Sequence, residues 1–380
     1  MRYSVTALTP LLVGDGRELS PVDYMVWKDQ INVLDQTRIF KLLSRGPRLE
    51  GYLAQLKKAT KLDFASWGGF AQNFSQRRIP FENPQSTVIW NTAPTESLFI
   101  PTFAAGTAGP YLPASALKGA LRTGFVFSRW SPATIEKVAA SLEGDRVPRR
   151  VAEPVEASSG ASQIRLLSVA DSQTVPVSAF KIYLTRTATL DTRQANKPQL
   201  AWKVAGRGSV PPQRVGDSTA VFAEMASPGT TFSGDWEERS FFQNPELTRA
   251  LGWRSVPETK MFIDASNEYA AAQLDLHSQY AELSRLNGLQ GAVGRLQTEL
   301  ASARNEPLTC LLSLGWGGGF VSKSASLDTA SEAYRRLLRS VPAIGSGLRE
   351  NVTFPKTRRI VFTGGQPSSI PGWVLVRLEK

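Results

Sequence analysis

A stretch near residue 115 carries residue types suited to binding phosphate. The segment Tyr111–Thr123 reads YLPASALKGALRT, in which Pro113 indicates a turn and Ser115 can cap the helix that follows. Lys118 and Arg122 are four residues apart, so they project from the same side of that helix. A helix N-terminus with two cations one turn apart favours a phosphate group. The alternative is an amphipathic surface helix whose basic side chains are only solvated.

A second candidate is the glycine-rich stretch Leu311–Ser324, which reads LLSLGWGGGFVSKS after an apolar, strand-like start. It is not a Walker A loop, because Ser322 stands where glycine must precede Lys-Ser, and Phe320 replaces the later glycine of a dinucleotide fingerprint. Glycines let a sugar–phosphate chain approach the backbone, and Trp316 or Phe320 could stack on a base, with Lys323 beyond them. The alternative is a tight turn that needs glycine only for its backbone conformation.

Residues for catalysis are few. His277 is the single histidine and Cys310 the single cysteine, and His277 falls in a helical pattern that favours a packed or solvated role. No cysteine-based zinc site can form, and no histidine and carboxylate cluster has the spacing of metal ligands. We therefore expect no catalytic residue, no metal and no cofactor.

The alternative to a non-catalytic binding protein is an enzyme, a metal-dependent ribonuclease that uses an aspartate. The candidates are Asp15, Asp23, Asp35 and Asp171. Asp15 lies in a Gly-Asp-Gly turn, where turn geometry is its ordinary role. Asp35 and Asp171 end strands, where they can cap the following element.

Composition limits the partners. The 380 residues are 42% hydrophobic, enough for a substantial core, and 44 Lys and Arg against 33 Asp and Glu give a net charge of +11. Such a field favours polyanions, and nucleic acid is the leading choice. No run of about 18 apolar residues is present and the N-terminus begins with a strand-like pattern, so we expect no membrane partner. The single cysteine indicates a reducing cytoplasm.

Several segments resemble a known family. LPASALKGALRT at residues 112–123 is similar to the PGSSLKGALR segment of RAMP proteins, the RNA-binding subunits of type III CRISPR effector complexes. Residues 1–45, 164–172 and 220–234 resemble the opening strands and helix, a later strand and a Pro-Gly hairpin of the same family. The segments at 311–324 and 354–376 resemble the RAMP subunit that ends the Csm complex.

The resemblance implies a fold. RAMP subunits are built from ferredoxin-like, RRM-type domains, so we expect an α+β protein with tandem ferredoxin-like domains, antiparallel sheets and a helical insertion. The first domain would cover residues 1–178 with strands at 2–9, 31–35 and 164–170. The second would cover 179–380 with strands at 179–186, 221–225, 309–314 and 373–378. Leucines at spacings of three and four predict a long helix or helical pair over 258–304 that breaks at Asn287-Gly288 and packs on its own domain rather than on a neighbouring subunit.

The resemblance also implies a function: a non-catalytic CRISPR RNA-binding subunit in antiviral defence. It would cap the backbone filament of a type III-A interference complex at the 3′ end of the CRISPR RNA and aid maturation of that end. Its partners would be the CRISPR RNA, backbone RAMP subunits, other subunits of the complex and host nucleases, in the cytoplasm. Alternatives are a metal-dependent RAMP ribonuclease and a RAMP subunit of another type III complex. The RNA-binding residues would be Ser115, Lys118, Gly119, Arg122, Trp316, Gly317, Gly318, Gly319, Phe320 and Lys323.

Overall fold

The structure is a computed structural model of the chain. It describes residues 1–44, 46–58, 73–142, 161–192, 198–206, 210–345, 348 and 352–379, with the backbone alone at 141, 142, 342 and 343. Within these ranges no helix is both long enough and apolar enough to cross a membrane.

The described residues form 17 strands and 10 α-helices. The strands are β1 (Arg2–Ala7), β2 (Glu18–Leu19), β3 (Tyr24–Trp27), β4 (Gln30–Leu34), β5 (Ser75–Pro80), β6 (Ile100–Pro101), β7 (Ala105–Gly106), β8 (Gly109–Pro110), β9 (Leu167–Val169), β10 (Phe180–Asp191), β11 (Gln199–Trp202), β12 (Val221–Ala226), β13 (Thr231–Glu238), β14 (Thr309–Ser313), β15 (Thr357–Thr363), β16 (Gln366–Ser369) and β17 (Trp373–Glu379). The helices are α1 (Gln36–Leu43), α2 (Leu49–Lys58), α3 (Ser86–Thr92), α4 (Ala114–Phe127), α5 (Pro132–Leu142), α6 (Pro245–Ala250), α7 (Thr259–Ser284), α8 (Asn287–Asn305), α9 (Glu332–Ser340) and α10 (Pro342–Gly345).

The first sheet is antiparallel and has the strand order β14–β17–β1–β13–β9. In β1 the side chains of Tyr3, Val5 and Ala7 are buried and alternate with more exposed residues, as a strand with one core face requires. β1 lies between two partners, with Val5 opposite Phe232 of β13 and Val376 of β17. The apolar core under this sheet includes side chains from α4 and the start of α7.

This pairing corrects the division of the strands into two units. The sequence predicts the strand at 2–9 in one unit and those at 309–314 and 373–378 in another, yet β1, β14 and β17 belong to one sheet. The predicted strand at 31–35 is present as β4 but lies in a different sheet. Antiparallel pairing depends on where connections return, which strand patterns along the chain do not reveal. The domain boundary at residue 178 stays a proposal.

The second sheet is built around β10, which has 12 residues. Its order is β11–β10–β15–β16, and β12 pairs with the first half of β10. Ile182 and Leu184 of β10 share a core with Ile360 and Phe362 of β15. A third sheet, β3–β4–β5, adjoins α1 and α2 through a small apolar cluster of its own.

The helical segment after residue 258 is a hairpin of two helices, as the leucine spacing predicts. α7 ends at Ser284 and is followed by Arg285, which has a φ of 54°, and α8 begins at Asn287. Gly288 brings α8 close to β16, because a Cβ there would lie 2.1 Å from the backbone oxygen of Pro367. Leu289 and Val293 are buried in the core of the second sheet, so the expected packing within the chain is confirmed.

Candidate nucleic-acid interface

Helix α4 begins with Ala114, one residue before the serine that the sequence predicts as its cap. Pro113 precedes the helix without a side-chain cap, so the prediction of Ser115 as the N-cap is wrong. The cap comes from a distant strand end instead, because the Ala114 N–H donates to Oδ1 of Asp171 at 2.7 Å. Ser115 is exposed in the first turn.

A groove of about 540 Å³ lies beside the N-terminal half of α4. The helix contributes Ser115, Gly119 and Thr123, which are four residues apart and so form one strip. The loop after β14 forms the facing wall with Trp316 and Lys323. The two segments singled out in the sequence therefore meet at one surface.

A third wall comes from the turn after β1, which sequence reasoning did not include among the binding residues. Gly14, Arg17 and Glu18 line the groove there. The Arg17 guanidinium pairs with Asp15 at 3.4 Å, so its charge is partly compensated. The only sequence signal was the Gly-Asp-Gly turn at 14–16, which also belongs to the resemblance at the start of the chain.

The predicted glycines 317–319 of the loop are not among the residues that line the groove, whereas Gly315 is. A Cβ on Gly317 would lie 2.5 Å from Cγ of Pro371, and one on Gly318 would lie 2.3 Å from Oγ of Ser322. These two glycines are therefore needed for close packing within the chain. Only a Cβ at Gly319, among the run 317–319, would meet open space.

Trp316 is fixed at the wall of the groove. Its backbone N–H donates to the Leu12 carbonyl at 2.8 Å, and its half-buried ring packs against the core of the first sheet. The Arg359 guanidinium lies over the ring, with Cζ 4.1 Å from the centroid. Because this cation already covers one part of the ring, Trp316 has less surface for a base than its sequence position suggests.

Phe320 is not brought to the groove. Its ring contacts Phe354 edge-on at a centroid distance of 5.1 Å, and both belong to a small apolar cluster with Ile135, Tyr334 and Leu338. Lys323, three residues later, is exposed and does line the groove. Phe320 therefore packs within the chain, whereas Lys323 lies at the groove.

Lys118 and Arg122 lie beside the groove rather than in it. Nζ of Lys118 donates to the Leu167 carbonyl at 2.7 Å. Burial, followed by the nearby guanidinium groups of Arg239 and Arg165, lowers the pKa of the Lys118 ammonium. Arg122 is exposed on the same strip of α4. Neither side chain lines the groove, so the helix carries a groove strip and a separate basic strip.

The aspartates of the rival hypothesis all have local structural partners. Asp15 pairs with Arg17, Asp23 accepts from the N–H and hydroxyl of Ser20, and Asp35 caps α1 through the Arg38 N–H. Asp171 caps α4, which precedes it in the chain, rather than the element that follows it.

No metal cluster was found around these residues. Within the described ranges, no group of three or more histidine, cysteine or acidic residues is placed to hold a metal ion.

The single histidine is buried. His277 accepts from Nε of Arg358 at 3.0 Å through Nδ1. Burial, and then the Arg358 charge, hold the pKa of His277 well below its usual range. A neutral imidazole enclosed in this way acts as an internal hydrogen-bond acceptor, as the packed-helix interpretation predicts.

Antiparallel sheets with helices packed on them make this an α+β protein. Residues 4–252 match the model of the RAMP superfamily, and the chain belongs to that superfamily. The expected membership of this family is therefore confirmed, on a match that covers the resembling segments before residue 252. No curated protein matches the chain in sequence.

Two solved structures share the fold over the whole chain. One is a chain of a cryo-EM structure of a Csm–crRNA–target RNA ternary complex from a type III-A CRISPR–Cas system, with a TM-score of 0.64 and 20% identity over 99% of this chain and 100% of that chain. The other is the crystal structure of T. onnurineus Csm5, with a TM-score of 0.57 and 18% identity over the same shares. The likeness confirms the expected α+β class of ferredoxin-like type.

Proposed function

We propose that this chain is a non-catalytic, CRISPR RNA-binding subunit of a type III-A Csm complex. In this role it caps the filament of backbone subunits at the 3′ end of the CRISPR RNA and aids maturation of that end, in concert with host nucleases. Membership of the RAMP superfamily and a fold shared along the full length with Csm5 support the assignment. The two segments that the sequence predicts to bind RNA, 111–123 and 311–324, would do so through fewer residues than predicted.

The groove beside α4 carries the proposal. Ser115 and Gly119 present a helix start without large side chains, and the facing loop supplies the exposed cation Lys323. The Ala114 and Ala116 N–H groups already donate to Asp171 and to the Pro113 carbonyl, so on the helix side the Ser115 hydroxyl is the group that can bind phosphate. The Lys323 ammonium can bind phosphate from the facing wall of the groove. Contacts of this kind are salt-dependent and independent of base sequence.

The test is RNA binding by the purified full chain, with a charge placed in the groove. Ser115→Glu puts a carboxylate against the phosphates and should weaken the affinity for single-stranded RNA about tenfold. Thr298→Glu is the matched control, because Thr298 is exposed on α8 and does not line the groove. Equal affinities of the two variants and the unmodified chain would overturn the proposal.

The role in the complex needs a second experiment. The chain is co-expressed with backbone RAMP subunits and a CRISPR array, and the RNA in the purified assembly is sequenced at its 3′ ends. We expect RNA with unprocessed, longer 3′ ends when the chain is omitted. Cleavage of RNA by the isolated chain with Mg²⁺ or Mn²⁺, lost on a single Asp→Ala change, would instead support the ribonuclease.

A further inference from the structure

A second surface with the chemistry of a nucleic-acid site lies next to the basic strip of α4. Lys118 reaches the Leu167 carbonyl with Nζ at 2.7 Å, and the Arg239 backbone N–H donates to the Leu166 carbonyl at 2.9 Å. Arg165 immediately precedes these two carbonyls, in the 3₁₀ turn that leads into β9. Three basic residues, from α4, this turn and the end of β13, therefore converge on one short stretch of backbone.

Aromatic rings lie beside one of these cations, Arg165. The Arg165 guanidinium lies 5.6 Å from the centroid of the Phe242 ring, which itself stacks on Trp253 at 5.2 Å. Phe241 contacts Phe242 edge-on at 5.5 Å and is the most exposed large hydrophobic side chain of the described residues, at 67%. An exposed ring beside several cations is the arrangement with which proteins hold single-stranded nucleic acid: the ring stacks on a base and the cations contact phosphates.

Within the described residues, Lys118 and Arg239 form no ion pair. The acidic residue just before Arg239 in the chain, Glu238, is engaged elsewhere and accepts from the Thr259 N–H at 2.9 Å. Like charges held together in this way repel each other, and an anion bound between them relieves that repulsion. Burial, followed by the charges of Arg239 and Arg165, lowers the pKa of Lys118.

The surface continues the groove around α4. At about 100° per residue, the strip of Lys118 and Arg122 is centred about 80° from the strip of Ser115, Gly119 and Thr123 around the helix axis. An RNA strand that leaves the groove can therefore cross the first turns of α4 and next reach the basic side chains beside it.

We propose that Lys118, Arg165, Arg239 and the exposed ring of Phe241 form a second contact surface for single-stranded RNA. This inference rests on the proposed function, because the RNA is the one held in the groove. The cations contact phosphates, and Phe241 stacks on one base.

The test compares variants of the full chain in fluorescence anisotropy with a uridine oligonucleotide of about 20 nucleotides. Arg239→Gln should weaken binding several-fold and lower the salt slope by about 0.7. Phe241→Leu should weaken binding about tenfold, whereas Phe241→Trp, which retains a stacking ring, should not. Arg295→Gln on α8 and Phe40→Leu on α1 are the matched controls, since both side chains are exposed elsewhere.

The outcomes separate this inference from the proposed function. If Ser115→Glu weakens binding but Arg239→Gln and Phe241→Leu do not, the second surface is refuted and the groove stands. If none of these three variants changes the affinity for RNA, both the second surface and the groove are refuted as RNA-binding sites. If the Arg239 and Phe241 variants bind RNA normally but fail to join a neighbouring protein subunit, the surface is a protein interface and the inference is overturned.

Discussion

Arg77 of β5 forms an ion pair with Glu224 of β12, and the Glu224 side chain is fully buried. The pair connects the small third sheet to the second sheet. Glu224 is also the first residue of the EMASPGTTF segment that resembles the family. The ion pair with Arg77 therefore explains why a glutamate stands at this position of the segment.

Removal of one partner of this ion pair should lower the free energy of unfolding strongly. Glu224→Gln leaves the Arg77 charge in a largely buried position without its counterion, and should lower the free energy of unfolding by about 3–5 kcal/mol. Glu306→Gln is the control, because Glu306 pairs with Arg377 at 3.1 Å on the surface and should contribute less than about 1 kcal/mol. Urea unfolding measures both, and equal losses would contradict the prediction.

The contact between Arg358 and His277 predicts a pH dependence. His277 stays neutral in the folded chain because its pKa is lowered, while in the unfolded chain it takes up a proton below about pH 6.5. The unfolded state then binds more protons, so the free energy of unfolding falls as the pH decreases below that value, by up to about 1.4 kcal/mol per unit. His277→Gln keeps an acceptor for Arg358 and should flatten this dependence. Parallel profiles of the two proteins between about pH 7.5 and 5.5, measured by urea unfolding, would contradict it.

Two glycines of α8 should respond to alanine in opposite directions. Gly288→Ala places a Cβ 2.1 Å from the Pro367 backbone oxygen, which cannot move as a side chain would, and should cost about 1–3 kcal/mol. Gly294→Ala meets nothing within 4 Å and should stabilise the helix by about 0.5–1 kcal/mol. Thermal unfolding shows whether each substitution stabilises or destabilises the protein. A stabilising Gly288→Ala would show that α8 does not approach the Pro367 backbone so closely.

The helices could be predicted from the sequence because their signal is local. The spacing of Leu289, Val293 and Leu296 at three or four residues indicates α8, and Asn287 marks its start. The pairing of β1 with β17 could not be predicted in this way, because the strands lie at opposite ends of the chain. Pairing between distant segments depends on the whole core and leaves no local pattern.

The candidate site was predicted in part. The sequence identified two of the segments that line the groove but not the turn after β1, and it could not tell Trp316, which lines the groove, from Phe320, which packs on Phe354. It also could not predict that the Leu167 carbonyl of a later strand accepts from the Lys118 ammonium. Each of these outcomes is decided by a tertiary neighbour.

Lys323 provides the most direct measure of phosphate contact in the groove. Its ammonium is exposed at the groove wall, so Lys323→Gln should remove one phosphate contact with little effect on stability. For single-stranded RNA the slope of log affinity against log salt should then become less steep by about 0.7. Lys260→Gln is the control, because Lys260 is an exposed lysine paired with Asp264 outside the groove. An unchanged slope for Lys323→Gln would mean that the ammonium is only solvated, and the phosphate path would then have to run along the helix side of the groove alone.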